Sequence, residues 1–300
     1  MSVHREALAI PFWSPVEVEA ALRTAIAHLG ERRVLAYPTE TVYGFGTAVD
    51  HDSVEALVRM KGRPPGKPFL LLINDPAHLA RLDLHLPTYA STLAARFWPG
   101  PLTLVVPRAA GVLPAVTGGQ DTVALRVPAH PVAQAVLKAA ATLGVMGAAA
   151  PSANRFGRVS PTTAAHVVGE FEGRALDAPL LVLDGGDCDV GIESTIVDVC
   201  GPKPVLLRPG HITADEIAAV TGLEVLGVQQ HSPQVSGSLA SHYAPEARVH
   251  LCDVQTLQNS MAALSSESVR SHAVYATPAL LKTLPVVLTT REMATDPEVC

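Results

Sequence analysis

A mixed α/β fold is what this chain predicts, on three observations. Short continuous apolar runs such as FLLLI (69–73) and VMGAAA (145–150) have the length and composition of strands covered on both faces. Between such runs lie amphipathic segments of helical period that open on capping residues. Some neighbouring runs are joined too tightly for a helical crossover, so antiparallel pairs must mix with parallel ones.

The elements follow in order. SPVE (14–17) is a capping box with Pro15 at the first helical position, and Val18, Leu22, Ala25, Ile26 and Leu29 follow at helical spacing until Gly30. Residues 34–37 form a short strand that runs into a loop of Pro38, Thr39, Glu40 and Thr41. Asp52 and Glu55 bracket the next helix start, and KGRPP (61–65) ends that helix. After the strand at 69–73, Asp75-Pro76 opens one helix and 87–98 fits another. Strands at 102–106 and 122–127, a helix over 131–143 and the strand at 145–150 come next. Ser160 reads as a helix cap with Pro161 at the first helical position, and this helix runs to about Phe171. Strands at 180–183, 195–199 and 205–207 precede a second capping box, TADE (213–216), whose helix stops near Gly222. The polar stretch from Gly227 then reads as a linker. Beyond it, strands at 248–252, 272–275 and 286–288 with helical stretches between them suggest a small, curtailed, Rossmann-like βαβ domain. The expected division is 14–226, a linker over 227–245, and 246–300.

With 300 residues, 48% of them hydrophobic and 17% charged, the chain has material for a large core and one or two domains. A formal net charge of -6 argues against a protein that coats nucleic acid through bulk charge, while leaving room for a local basic cleft. Cys188, Cys200, Cys252 and Cys300 are scattered, with no CxxC pair and no histidines at zinc spacing, as expected of reduced thiols. MSVHREALAI lacks the apolar core of a signal peptide, and no stretch approaches about 18 uninterrupted apolar residues. A soluble, cytoplasmic protein without membrane association is therefore expected.

Several segments could carry chemistry. The loop after 145–150 offers hydroxyls, an amide and two arginines between a strand end and a helix start, which suits an anion. PTETVYGFG (38–46) packs hydroxyls and glycines at another strand end, suiting a small polar ligand or a turn shaped by glycine alone. Lys61, Arg63 and Lys67 lie within seven residues among prolines, either aimed at a polyphosphate or forming a solvated basic face. Arg126 interrupts an apolar strand on the face it shares with Thr122 and Ala124, and there it needs a carboxylate partner, structural or ligand-borne. Glu193, in GIEST (191–195), could bind a metal or pair with an arginine. The chain has no Walker-type or Rossmann glycine motif and no H-E-x-x-H pattern.

Taken together, PTETVYGFG, KGRP, FWPGPLT, TVALRVP, APSANRFGRVSPTT, GIEST, LLRPG and HYAP occur in register from about Val34 to Pro245. This set resembles the YrdC-like family of L-threonylcarbamoyladenylate synthases, and the linker followed by a small α/β unit resembles the family's long, two-domain form. The resemblance implies a twisted mixed sheet with flanking helices around a concave, positively lined cavity. It implies that ATP, L-threonine and bicarbonate become threonylcarbamoyl-AMP and pyrophosphate, with Mg²⁺ carried on ATP. The product would pass to a separate tRNA threonylcarbamoyl transferase complex, which forms N6-threonylcarbamoyladenosine; direct tRNA contact stays open.

By motif, the resemblance places Lys61, Arg63, Lys67, Thr122, Ser152, Asn154, Ser160 and Arg208 at ATP, with Lys61 and Arg63 serving the chemistry. His242 and Tyr243 belong to the linker, which would fold over the nucleotide as a lid. Thr39, Arg126, Ala150 through its backbone, and Ser194 match the threonine site. Leu72 stands in that site where relatives often carry histidine, and SGSLASHYAP lacks a basic run that many relatives show. The alternative is an RNA-binding module without catalysis, which the acidic balance and 4% aromatic content disfavour.

Overall fold

The computed structural model describes residues 7–64, 66–142, 144–145, 147–237, 248–263, 272–283 and 289–292. It divides into two compact units, Met1–Ala244 and Pro245–Cys300. Strands of the first unit form two mixed ladders. One runs in the order β1 (Ala7–Pro11), β8 (Leu180–Asp184), β2 (Leu35–Pro38), β3 (Tyr43–Gly46). The other runs β10 (Val205–Arg208), β9 (Thr195–Asp198), β5 (Leu102–Pro107), β6 (Thr122–Arg126), β4 (Leu70–Leu72), β7 (Ala148–Ala149).

Alternation along the strands decides which helices cover which face. In the four-stranded ladder, Leu35, Tyr37, Leu181 and Leu183 pack against α1 (Pro15–Gly30) and α6 (Pro131–Thr142). Ala36, Leu180 and Val182 face the other way, onto α2 (His51–Lys61) and α7 (Ala164–Phe171). In the six-stranded ladder, Leu102, Leu104, Val123, Leu125 and Val197 bury against α4 (Thr88–Phe97) and α8 (Ala214–Thr221). Its opposite face carries Val105, Ile196 and Leu207, and Val235 of the linker packs there.

Both expected capping boxes form: Ser14 and Glu17 exchange hydrogen bonds at the start of α1, as do Thr213 and Glu216 at the start of α8. Other boundaries move. Asp50, not Asp52, caps α2 by accepting from the Ser53 amide. The helix read from Pro161 begins instead at Ala164, with the Thr163 hydroxyl accepting from the His166 amide. The reason is tertiary: the Pro161 carbonyl accepts from the Tyr43 amide, and the Ser160 hydroxyl donates to Glu193, so neither residue can enter a helix. After Asp75, an Asx turn to the Ala77 amide delays α3 to His78–Arg81. The strand read over 145–150 is shorter, Ala148–Ala149 pairing with β4, and Gly147 before it passes so close that a Cβ there would lie 2.8 Å from the Leu71 side chain.

Two strands escaped the sequence reading. β1 is a five-residue edge strand parallel to β8, and β3 is YGFG, whose glycines read as a turn. β3 joins the two ladders. Its Gly44 bridges Ser152, Thr47 just beyond it bridges Ala149, and its backbone exchanges hydrogen bonds with Pro151 and Ala153 at 2.8 Å.

In the second unit, α9 (Val254–Ala262) is capped by Asp253, and β11 (Ala273–Ala276) lies parallel to β12 (Thr289–Glu292) with α10 (Pro278–Leu281) between them in the chain. Val274 and Ala276 are buried with Leu257, Met261, Leu280 and Leu281 around them. The expected strand at 248–252 has no regular structure, and Val249 and Leu251 are exposed. That at 286–288 lies outside the described residues.

One close approach positions the functional region. A Cβ on Gly210 would lie 2.4 Å from the Thr195 amide nitrogen and 2.7 Å from the Glu193 carbonyl, so only glycine lets the turn after β10 pass the start of β9. Gly210→Ala is expected to cost about 1–3 kcal/mol as overpacking against backbone. Urea denaturation measures this, and an unchanged midpoint would contradict the close approach.

Candidate functional site

A cavity of about 310 Å³ is lined by both ladders, by the loop after β7 and by residues 234–237 of the linker. Among the described residues, Lys61, Arg63, Lys67, Arg126 and Arg208 all line it, against a single lining carboxylate, Glu193. Charge so unbalanced in a low-dielectric hollow favours an anionic ligand. Each buried cation also needs local compensation, and the structure supplies it in four ways.

Lys61 ends α2, where Gly62 takes a left-handed conformation (φ 60°) and turns the chain so that Lys61 and Arg63 both reach the cavity. The Lys61 ammonium is buried and donates to the Ser152 carbonyl at 2.6 Å and the Asn154 carbonyl at 2.7 Å, with the Asn154 Oδ1 at 3.2 Å. It thereby holds the loop after β7. Burial pushes its pKa down to about 7, with Arg63 adding to the shift and Glu193 and Glu170 opposing it. Asn154 completes this turn by donating through Nδ2 to the Arg155 and Arg158 carbonyls at 2.7 and 2.8 Å.

Arg63 stacks on Phe69, its guanidinium carbon 4.7 Å from the ring centroid, and donates from Nη2 to the Pro68 carbonyl at 2.8 Å and the Ser236 hydroxyl at 3.2 Å. Its buried Nε–H has no protein partner. Burial lowers its pKa to about 10, leaving it charged at neutral pH.

Arg208 uses every edge of its guanidinium. Nε and Nη2 hold the Ser194 carbonyl at 3.1 and 2.8 Å, Nη2 also reaches the Ser194 hydroxyl at 3.1 Å, and Nη1 donates to Glu193 and to the Ser236 carbonyl. Ser194 in turn shares a 2.8 Å hydrogen bond with Thr103.

Arg126 has the partner its position demands: Nη2 lies 2.7 Å from Glu40, whose other oxygen accepts from the Ala129 amide at 2.9 Å. Nε and Nη1 donate to the Gly100 carbonyl and the Thr41 hydroxyl. Arg126 also lines the cavity, so one residue belongs both to a structural ion pair and to the cavity wall.

The cavity brings together Thr39, Lys61, Arg63, Lys67, Leu72, Arg126, Ala150, Ser152, Asn154, Ser194 and Arg208, eleven of the residues singled out from sequence. The Ala150 amide is spent on the Leu70 carbonyl at 2.8 Å, so a backbone contact there falls to its carbonyl. Ser160 does not line the wall and reaches it through Glu193. Thr122 does not line it either. It borders a separate small depression, because four residues of strand carry it roughly 13 Å from Arg126. His242 and Tyr243 lie outside the described residues. Sequence reasoning missed Glu40, Thr41, Thr103 and the linker's Gln234 and Ser236. Nothing local marks Ser236, which meets Arg63 across 173 residues of chain. Among the described residues no three His, Cys, Asp or Glu side chains cluster to hold a metal ion. No helix among them is long and apolar enough to cross a membrane.

A mixed α/β unit with a cation-lined hollow at the junction of its ladders is the architecture of a known group. Residues 28–210 match the family model of Sua5, YciO and YrdC proteins, described as "Telomere recombination", and residues 212–296 match the "Threonylcarbamoyl-AMP synthase, C-terminal domain". The chain belongs to the two-domain threonylcarbamoyl-AMP synthase family. It is 40% identical over 237 residues to the threonylcarbamoyl-AMP synthase of Pyrococcus abyssi, covering 77% of this chain and 67% of that one. To the Bacillus subtilis enzyme of the same name it is 42% identical, over 76% of this chain and 66% of the other. The match thus spans about two thirds of the length of these curated relatives. The crystal structure of the P. abyssi protein complexed with L-threonine superposes with a TM-score of 0.81 at 31% identity, over 97% of this chain and 84% of that one.

The Lys61 environment makes a pH-dependent expectation. The unfolded chain keeps this proton up to about pH 10.5, whereas the folded chain sheds it near 7, so the unfolded state binds more protons between those values. Stability measured relative to Lys61→Met should therefore rise from pH 7 to pH 10. Urea denaturation at the two pH values checks it, and a falling difference would contradict the burial of a charged amine.

Proposed function

We propose that this chain is an L-threonylcarbamoyladenylate synthase, converting ATP, L-threonine and bicarbonate to threonylcarbamoyl-AMP and pyrophosphate. The observation that carries the reading is the convergence of Lys61, Arg63 and Arg208 with Arg126, Ser194 and Thr39 on one cavity. The first three suit the phosphates, with Lys67, Ser152, Asn154 and, through Glu193, Ser160. Arg126 suits the threonine carboxylate, beside Thr39, Ser194, Leu72 and the Ala150 backbone. Thr122 is set aside from this assignment. The P. abyssi relative complexed with L-threonine supports threonine as a substrate.

Threonine's amine attacks the carbon of bicarbonate, water is lost, and a carbamate forms. A carbamate oxygen then bonds to the α-phosphorus of ATP as the bond to the β-phosphate oxygen breaks, and pyrophosphate leaves with the electron pair. The protein's work is alignment and stabilisation of charge as it moves to the leaving group. Lys61 and Arg63 serve that end. Mg²⁺ enters as part of the substrate, held by the triphosphate, since Glu193 already accepts from Ser160 and Arg208 and no cluster of three or more metal-binding side chains forms among the described residues. The linker, whose residues 234–237 already line the cavity, acts as the lid that keeps water from carbamate and anhydride, with His242 and Tyr243 part of it. The product passes to a separate transferase complex that modifies tRNA in the cytoplasm. A cavity of about 310 Å³ suits small molecules.

Pyrophosphate release, assayed with threonine and bicarbonate omitted in turn, tests the reading: release should need both. Lys61→Ala and Arg63→Ala should each lower it on the order of a hundredfold, the usual loss for a removed electrostatic stabiliser. Near-wild-type turnover in both variants would take them out of the chemistry.

A further inference from the structure

One acidic side chain faces a cavity otherwise built for anions, and the proposed reaction gives it no task. Glu193 lies just before β9, about nine-tenths buried, where the Ser160 hydroxyl donates to Oε1 at 2.8 Å and Arg208 Nη1 donates to Oε2. Among the described residues that line the cavity it is the one carboxylate. Its field also reaches Lys61 and Arg63, favouring their charged forms against burial.

We infer that Glu193 is a positioning residue that sets how firmly the cavity grips a polyphosphate: it aims Arg208 and offsets part of the surrounding positive charge. The inference rests on the proposed function. Two physical consequences lead to it. First, Glu193 and Ser194 hold opposite edges of one guanidinium, so the plane of Arg208 is fixed before any ligand arrives. Such preorganisation removes the cost of ordering the side chain on binding. Second, a fixed negative charge beside the phosphate-binding cations repels a polyanion. In its absence, Lys61, Arg63 and Arg208 would face pyrophosphate with only neutral acceptors around them, and the product of each turnover would be held more tightly than turnover can use. The carboxylate thus trades ground-state grip for release, which uniform tight binding would not achieve.

Glu193→Gln separates the two roles, because the amide oxygen can still accept from Arg208 while the charge is gone. The measurement is calorimetric titration of the full chain with inorganic pyrophosphate at pH 6, where Lys61 keeps its proton. Glu193→Gln is expected to bind pyrophosphate about tenfold more tightly, the order expected of one nearby unit charge at a high effective dielectric with salt screening. Its synthesis reaction should show correspondingly stronger inhibition by added pyrophosphate. Glu193→Ala should shift in the same direction by a smaller factor, since Arg208 also loses its aim, and it serves if the glutamine chain does not fold. Unchanged or weaker pyrophosphate binding in the folded variants would overturn the inference. Failure of the wild-type chain to release pyrophosphate from ATP with threonine and bicarbonate would instead overturn the proposed function, so the two failures read differently.

Discussion

Burying four cationic side chains, those of Lys61, Arg63, Arg126 and Arg208, around one hollow is the constraint on which the rest of the structure depends. An isolated charge in a protein interior is too costly to persist, so each must find acceptors before a ligand arrives. Backbone carbonyls do most of this: those of Ser152 and Asn154 hold Lys61, that of Pro68 holds Arg63, that of Gly100 holds Arg126, and that of Ser194 holds Arg208. Among the described residues, two carboxylates form ion pairs with these cations, Glu40 with Arg126 and Glu193 with Arg208. Because most compensation comes from neutral dipoles, the cavity remains positive while its cations stay fixed.

That compensation explains features of the fold that would otherwise look arbitrary. The loop after β7 is irregular because its carbonyls turn toward Lys61 instead of continuing a ladder. Gly46 of β3 is required because a Cβ there would lie 2.4 Å from the Tyr37 ring. The linker is fastened at two places. Gln120 and Gln234 exchange side-chain to backbone hydrogen bonds at 3.0 and 2.8 Å, and Ser236 bridges Arg63 and Arg208. A segment so attached to two cavity-lining arginines is well placed to respond when an anion competes for the same donors.

Much of the regular structure was legible in the chain. SPVE and TADE form the capping boxes they spell, and the apolar runs at 69–73, 102–106 and 180–183 fall on β4, β5 and β8. Misreadings occur where a distant partner outbids a local preference. Pro161 would favour a helix start, but its carbonyl serves Tyr43, 118 positions earlier in the chain. Thr122 shares a strand face with Arg126, yet period alone cannot say where along that face the cavity ends. Leu72 lines the cavity as an apolar wall between charged neighbours, a role its hydropathy fits but does not reveal.

What the sequence determined by itself was the material: strand and helix content, the cationic and hydroxyl side chains, and through its ordered motifs the family. Those properties are local, set by period, capping and residue chemistry. Which atoms of those side chains remain turned toward a ligand was decided only in three dimensions. Arg126 could be a structural cation or a ligand contact until Glu40 and the cavity wall met it from opposite sides. Glu193 could serve a metal or an arginine until Arg208 arrived from the neighbouring strand. Charge interactions depend on distance and burial, and neither is written in residue order.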